Sequence, residues 1–214
     1  MKEKPSEWIV IADLMSGVVA VVMLMLVVSV VQKQVAERRH RAEMTQGAEA
    51  QRQRIASVLE QMKTAFVQEG AAGYVAIDSA AGTVTLKERA FRSGSACIEP
   101  GAKAAFAKVE DRIAAYLLQF HSGQIYVEGH TDNQPVKAPV TDYRTFCTVY
   151  DDNFTLSAAR AREARRLLIG HSGVEAARRV VVAGYGDSHP LGGLDPSDER
   201  NRRVELRFAN AAEH

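Results

Sequence analysis

Cysteine is almost absent. Two residues among 214 allow one disulfide, but not a disulfide scaffold or a four-cysteine zinc site. Net charge is almost absent too, with 27 Lys and Arg against 26 Asp and Glu. This excludes nucleic acid as a partner held through bulk positive charge. Six prolines and 15 glycines are too few for a collagen-like or low-complexity chain. No internal repeat is visible. His130, His171 and His189 show no metal-ligand spacing with one another or with either cysteine, so no metal is expected. Gly184-x-Gly186 lacks a third glycine and an ensuing helix, which argues against a dinucleotide loop. Ser157 has no general base to activate it and reads as a helix cap. No enzyme and no cofactor is expected.

What the chain does have is unevenly spread apolar residues. From Trp8 to Val31 it reads WIVIADLMSGVVAVVMLMLVVSVV, 24 residues with one charge, Asp13. A helix of that length spans about 36 Å, enough for a hydrocarbon core of roughly 30 Å. The run is longer than a signal-peptide apolar region, and Gln32-Lys33-Gln34 follows in place of a small-residue cleavage site, so an uncleaved anchor is expected. Six basic and three acidic residues lie between Gln32 and Arg54. Read literally, the positive-inside rule puts the C-terminal part in the cytoplasm.

A carboxylate at the centre of a spanning helix costs on the order of 2.5–3.5 kcal/mol; Asp13, about 7–8 Å along the axis from Trp8, lies inside the core but nearer one interface, so it calls for a role. It could snorkel, it could hold helices together, or it could carry an ion by taking up a proton on one side and releasing it on the other. No Lys, Arg or His within the run neutralises it, which favours ion carriage. Ala12, Ser16 and Ala20, at four-residue spacing, would let a neighbouring helix approach. One span cannot form a conducting path alone, so partner helices are required.

Residues 32–70 are expected to be a linker followed by an amphipathic helix. The stretch 33–54 is rich in Ala, Glu, Arg and Gln, whereas Ile55, Val58, Leu59, Met62 and Phe66 form a helical stripe. That stripe suits a helix docked on its own domain, a dimer contact or a channel plug. Residues 71–210 are long enough for one globular core. Tyr74–Ile77 and Thr83–Leu86 flank Ala80-Ala81-Gly82 as a hairpin. Ala105, Val109, Ile113, Tyr116, Leu117 and Phe120 mark a helix over Gly101–Phe120, and another helix ends at Ile169 with Ser157 as its N-cap. Ile125–Gly129, Arg179–Tyr185 and Arg203–Phe208 read as strands. The fold class is a single N-terminal transmembrane helix and helical linker, then an α+β domain with a mixed sheet and helices on one face.

Several short motifs occur in order: Phe91-Arg92-Ser93-Gly94-Ser95-Ala96, Gly129-His130-Thr131-Asp132, Asn153-Phe154-Thr155-Leu156-Ser157-Ala158-Ala159-Arg160, Gly184-Tyr185-Gly186 and Asn201-Arg202-Arg203-Val204. The series resembles the OmpA-like peptidoglycan-binding domain over roughly residues 75–210. The resemblance implies that Asp132 and Arg160 hold the ammonium and carboxylate of a stem diaminopimelate, with Thr131, Asn153, Leu156 and Arg202 lining the pocket. An acid and a guanidinium are the groups suited to a zwitterion. A structural Asp132–Arg160 salt bridge is the plain alternative. The loop Asn133–Asp152 is longer than in most relatives and contains Cys147. The resemblance puts Cys97 near the same end of the sheet, so a Cys97–Cys147 disulfide or two free thiols are the options.

Trp8 and Ala12-Asp13-Leu14-Met15-Ser16-Gly17 resemble the membrane motif of MotB-type stator B subunits, and the Leu-Met-Ser-Gly version is closer to the ZorB family of Zorya anti-phage systems. The resemblance implies residues 1–7 in the cytoplasm, a span at 8–31, a periplasmic domain and a tail at 211–214. It further implies a homodimer of this chain inside a pentamer of a polytopic A subunit (MotA/ZorA-like), with ions passing at Asp13 and the domain held on peptidoglycan. A flagellar output, or a static membrane-to-wall tether, would use the same parts differently.

Overall fold

The computed structural model describes residues 7–68, 70–107, 123–170 and 174–210. The expected helical positions Val109, Ile113, Tyr116, Leu117 and Phe120 lie outside them, as do His171 and the tail at 211–214. The first helix, α1 (Glu7–Gln68), takes in the apolar run. Residues Met1–Ala50 form one unit and Gln51–His214 another.

In the first unit, every side chain described between residues 14 and 31 is exposed; Leu24 is 67% and Met25 66% accessible. It contains a stretch apolar enough to cross a membrane, with a mean hydropathy of 2.8. A helix that is apolar on every side has no polar face to turn to water, so lipid or other apolar helices must cover it.

The second unit begins inside the expected linker. Ile55, Leu59, Met62 and Phe66 are buried, and they belong to the same core as Val84, Ile125, Leu168 and Leu206. Of the options left open for that stripe, the structure takes docking on its own domain. Residues 51–68 therefore fold with the domain rather than tethering it, since a periodic apolar face is covered by packing.

Five strands follow: β1 (Val75–Asp78), β2 (Thr83–Leu86), β3 (Gly123–His130), β4 (Val180–Gly184) and β5 (Arg203–Asn210). Their order in the sheet is β1-β2-β5-β3-β4; β3 and β4 are parallel, and the other pairs antiparallel. The helices of this unit are α2 (Pro100–Ala107), a short α3 (Tyr143–Phe146), α4 (Asn153–Ile169) and α5 (Val174–Arg178). Strand alternation divides the sheet. Ile125, Val127, Val204, Leu206 and Phe208 are buried under the helices. Tyr126, Glu128 and His130 alternate with them on β3, as Arg203, Glu205 and Arg207 do on β5, so these point to the opposite face.

Two motif glycines set how closely α4 lies on this sheet. A Cβ on Gly129 would fall 2.0 Å from the Ser157 carbonyl oxygen, and one on Gly184 would fall 2.6 Å from the Ala158 Cβ. Neither fits, so glycine is required at both. The helix also starts earlier than expected. Asp152 is the N-cap and accepts the Thr155 N–H at 2.6 Å, which adds a turn before Ser157. Ser157, expected at the cap, sits inside α4, where its hydroxyl donates to the Phe154 carbonyl and accepts the Gly186 N–H at 2.9 Å.

Candidate functional site

All six residues of the expected pocket line one cleft of about 660 Å³: Thr131, Asp132, Asn153, Leu156, Arg160 and Arg202. Thr131 and Asp132 leave the end of β3, Asn153, Leu156 and Arg160 lie on α4, and Arg202 precedes β5. The β3–β5 pairing brings the last two strand ends together, with His130 opposite Arg203.

The charges inside are already engaged. Arg202 Nη1 donates to Asp132 Oδ2 at 2.5 Å, and its Nε lies 2.9 Å from Glu88 Oε2. Arg160 Nε donates to the Ser95 carbonyl at 2.9 Å, its Nη1 lies 3.5 Å from Glu88, and its guanidinium sits over the Phe91 ring at 5.4 Å. Asp132 thus pairs with Arg202, and no direct Asp132–Arg160 bridge occurs among the described residues. Arg160 is 2% exposed, so its guanidinium is a largely buried cation rather than an open fork. Burial lowers its pKa, with Glu88 opposing that shift. For Arg202, burial is outweighed by the bonds to Asp132 and Glu88, and the pKa rises. Arg202 is the more accessible guanidinium at 28%.

Other polar groups remain open to a ligand. Asp132 Oδ1 receives only a 3.4 Å contact from the Gln134 N–H. Thr131 is buried, its N–H donates to the Gly186 carbonyl, and its hydroxyl has no partner among the described residues. A buried, unpartnered hydroxyl beside a cleft is a group a ligand can satisfy. Asn153 is structural in part: its Nδ2 donates to the carbonyls of Asp132 and Gln134 and holds the start of the loop 133–152.

That loop forms one wall of the cleft through Gln134, Pro135, Val136, Lys137, Val140 and Tyr150. Cys97 and Cys147 are joined by a disulfide, with Cα atoms 5.1 Å apart. Closing a loop of this size stabilises a fold by about 2–4 kcal/mol. Around the bond, the Ser95 hydroxyl and the Ala96 N–H both donate to the Phe146 carbonyl, and the Tyr150 hydroxyl donates to the Gly94 carbonyl. The motif 91–96 therefore does two things. It receives the loop, and through Ser95 it positions Arg160.

Sequence reasoning missed Glu88, which joins the two arginines, because nothing local to residue 88 marks it. It missed the loop wall as well, whose only signal was unusual length. It missed, too, a cluster on the far face of the sheet, where ligand atoms of Glu128, His130 and Glu205 lie within 4.8 Å of one another. Arg207 donates to Glu128 at 3.0 Å and Arg203 to Glu205 at 2.6 Å, so both acids are already neutralised. His130 is buried and stacks on Tyr185. Burial first, then the Arg203 charge, pull its pKa down to about 4. The arrangement reads as an ion-pair lattice around a neutral imidazole.

Comparison with known proteins extends the description. Over 74% of this chain and 96% of the other, it is 26% identical to a MotB-like protein from Desulfovibrio vulgaris, with a TM-score of 0.54. The cell wall anchor of the T6SS from Pseudomonas aeruginosa is 29% identical over 70% of this chain and 96% of that one, with a TM-score of 0.49. The periplasmic domain of Helicobacter pylori MotB is 21% identical over 61% of this chain and 74% of that one, with a TM-score of 0.45. Among curated proteins there is no match. The fold of the mixed-sheet domain is thus shared with a MotB-like protein. The OmpA family matches residues 90–203, more than half of the chain and nearly all of the cleft, so this protein belongs to the OmpA family.

Proposed function

We propose that this chain is the B subunit of an ion-driven motor in the inner membrane, held to peptidoglycan by its C-terminal domain and serving Zorya-type anti-phage defence. The observation that carries this reading is the cleft, where the six residues expected from the motif series converge on one set of buried and half-buried charges. In this proposal a stem carboxylate approaches Arg202 and Arg160, while the ligand ammonium takes the open Oδ1 of Asp132 and Thr131 supplies its free hydroxyl. Wall binding requires the domain to lie in the periplasm and residues 1–7 in the cytoplasm, against the basic bias after the span.

The motor half of the proposal rests on Asp13, the one charge in the apolar run. Its residue lies on α1, while its side chain is outside the described part. Asp13 would hand ions across the membrane within a pentamer of a polytopic A subunit surrounding a homodimer of this chain. The wall contact would keep the B subunit from turning.

Wall binding is tested by co-sedimentation of the full-length chain in detergent with purified sacculi. Asp132→Ala removes the ammonium partner and leaves Arg202 without its closest acid. Losing one member of such a pair costs about 2–5 kcal/mol, roughly thirtyfold to several-thousandfold in affinity. Thermal melting has to show an intact fold in the variant. Binding equal to the unaltered chain, with folding preserved, would sink the assigned pocket.

A further inference from the structure

We propose that Lys137 is a specificity-determining residue of this cleft and takes a second carboxylate of the peptide ligand, the free glutamyl acid next to the diaminopimelate. The inference rests on the wall-binding function proposed above.

Charge balance is the first argument. The cleft is lined by three cations and two carboxylates. Arg202 lies 2.9 Å from Glu88 and 2.5 Å from Asp132, and Arg160 lies 3.5 Å from Glu88. Among the groups that line the cleft, those four balance in charge; Arg202 also reaches the exposed Glu199, outside the lining, at 3.7 Å. Lys137 is the cation left over: it is exposed, and no carboxylate among the described residues pairs with it. A cleft with one surplus positive charge favours a ligand that brings one acid more than the arginines and Asp132 can match. Lysine suits this, because its ammonium is a compact point charge that needs no fork geometry.

Placement is the second argument, because an exposed lysine on a slack loop would select nothing. Lys137 stands between Pro135 and Pro139, which limit the backbone on either side. Upstream, the Asn133 N–H donates to the Pro196 carbonyl at 3.1 Å, and the Gln134 carbonyl accepts from Asn153 at 3.0 Å. Downstream, Val140 and Tyr150 exchange backbone hydrogen bonds at 2.8 and 3.0 Å, and the Cys97–Cys147 bond closes the loop. Five residues thus stretch between two fixed points, with Lys137 on the cleft side of them. Amidating the glutamyl acid removes the charge Lys137 would meet. The cleft then distinguishes free-acid stems from amidated ones.

The test is titration calorimetry of the full-length chain in detergent with two Ala-Glu-diaminopimelate stem peptides, one with the glutamyl carboxylate free and one with it amidated. The unaltered chain should bind the free acid about three- to tenfold more tightly, as expected for a charge at the rim of a site. Lys137→Gln should abolish that preference, Lys137→Arg should keep most of it, and high salt should shrink it. Equal binding of both peptides by the unaltered chain would overturn the assignment, as would a preference that survives Lys137→Gln. Wall binding itself would stand in either case, because it is read independently on sacculi. Failure of the unaltered chain to sediment with sacculi would instead remove the proposed function together with this inference.

Discussion

Two apolar stretches of α1 meet opposite fates. Between residues 14 and 31 every described side chain is exposed, with Leu24 at 67%, whereas Leu59 and Met62 are buried to 0% and 1%. Composition alone does not separate them. The first stretch is apolar on all sides, so no rotation of the helix hides it from water. The second repeats at three and four residues, with exposed Glu60 and Lys63 between the buried positions, so one face can be covered while the other stays wet. Burying a leucine contributes about 1.5–3 kcal/mol wherever the cover comes from. For Leu59 the domain supplies the cover. For Leu24 something outside the folded chain has to.

The largest expected effect comes from breaking the polarity of the first stretch. Asp13→Asn should abolish ion flux in cells that also produce the A subunit, with expression, insertion and assembly unchanged. Asparagine keeps the shape and hydrogen bonding but cannot carry a proton. Normal flux in that variant would reduce Asp13 to helix glue and the protein to a static tether.

A smaller effect separates the two stretches directly. Leu59→Ala should destabilise the domain by about 2–5 kcal/mol in denaturant titrations, through lost burial and the cavity left behind. Leu24→Ala should leave the same transition where it was. Equal shifts would mean that the apolar run is covered by the domain after all.

The smallest effect belongs to the domain alone and depends on pH. His130 is neutral when folded, with a pKa near 4 against 6.5 for a free imidazole. The unfolded chain therefore binds the extra proton first. Stability should be level above pH 6.5, fall as pH drops toward 4 by at most about 3 kcal/mol, and then level off for this group. His130→Phe keeps a ring to stack on Tyr185 and should flatten that window in pH-dependent melting. An unchanged slope would assign the acid sensitivity to other groups.

Much of this was legible beforehand because it is local. The hairpin at 75–86, the strands near 125–129, 180–184 and 203–208, and the helix ending at Ile169 each carry their own periodicity. Others were not, the Ser157 position and the Arg160 environment among them. Ser157 looked like a cap because it precedes an Ala- and Arg-rich run, yet Asp152 wins that place by accepting the Thr155 N–H a turn earlier. Arg160 was expected to offer an open fork. Its burial and its bonds to Ser95 and Glu88 involve residues 65 and 72 positions away, which no local pattern reports.

The sequence by itself determined the apolar run with its single acid and the alternation of the strands. Each follows from covalent geometry and the period of a helix or strand, so a short window of residues contains it. Only the tertiary structure decided that residues 55–66 dock on the domain, that Arg202 rather than Arg160 pairs with Asp132, and that Glu88 joins the two arginines. Only it brought Lys137 to the rim of the cleft on a loop closed by Cys97 and Cys147. Ion pairs and packing act across a few ångströms of space, and it is the order in which strands join the sheet that brings distant parts of the chain within that range.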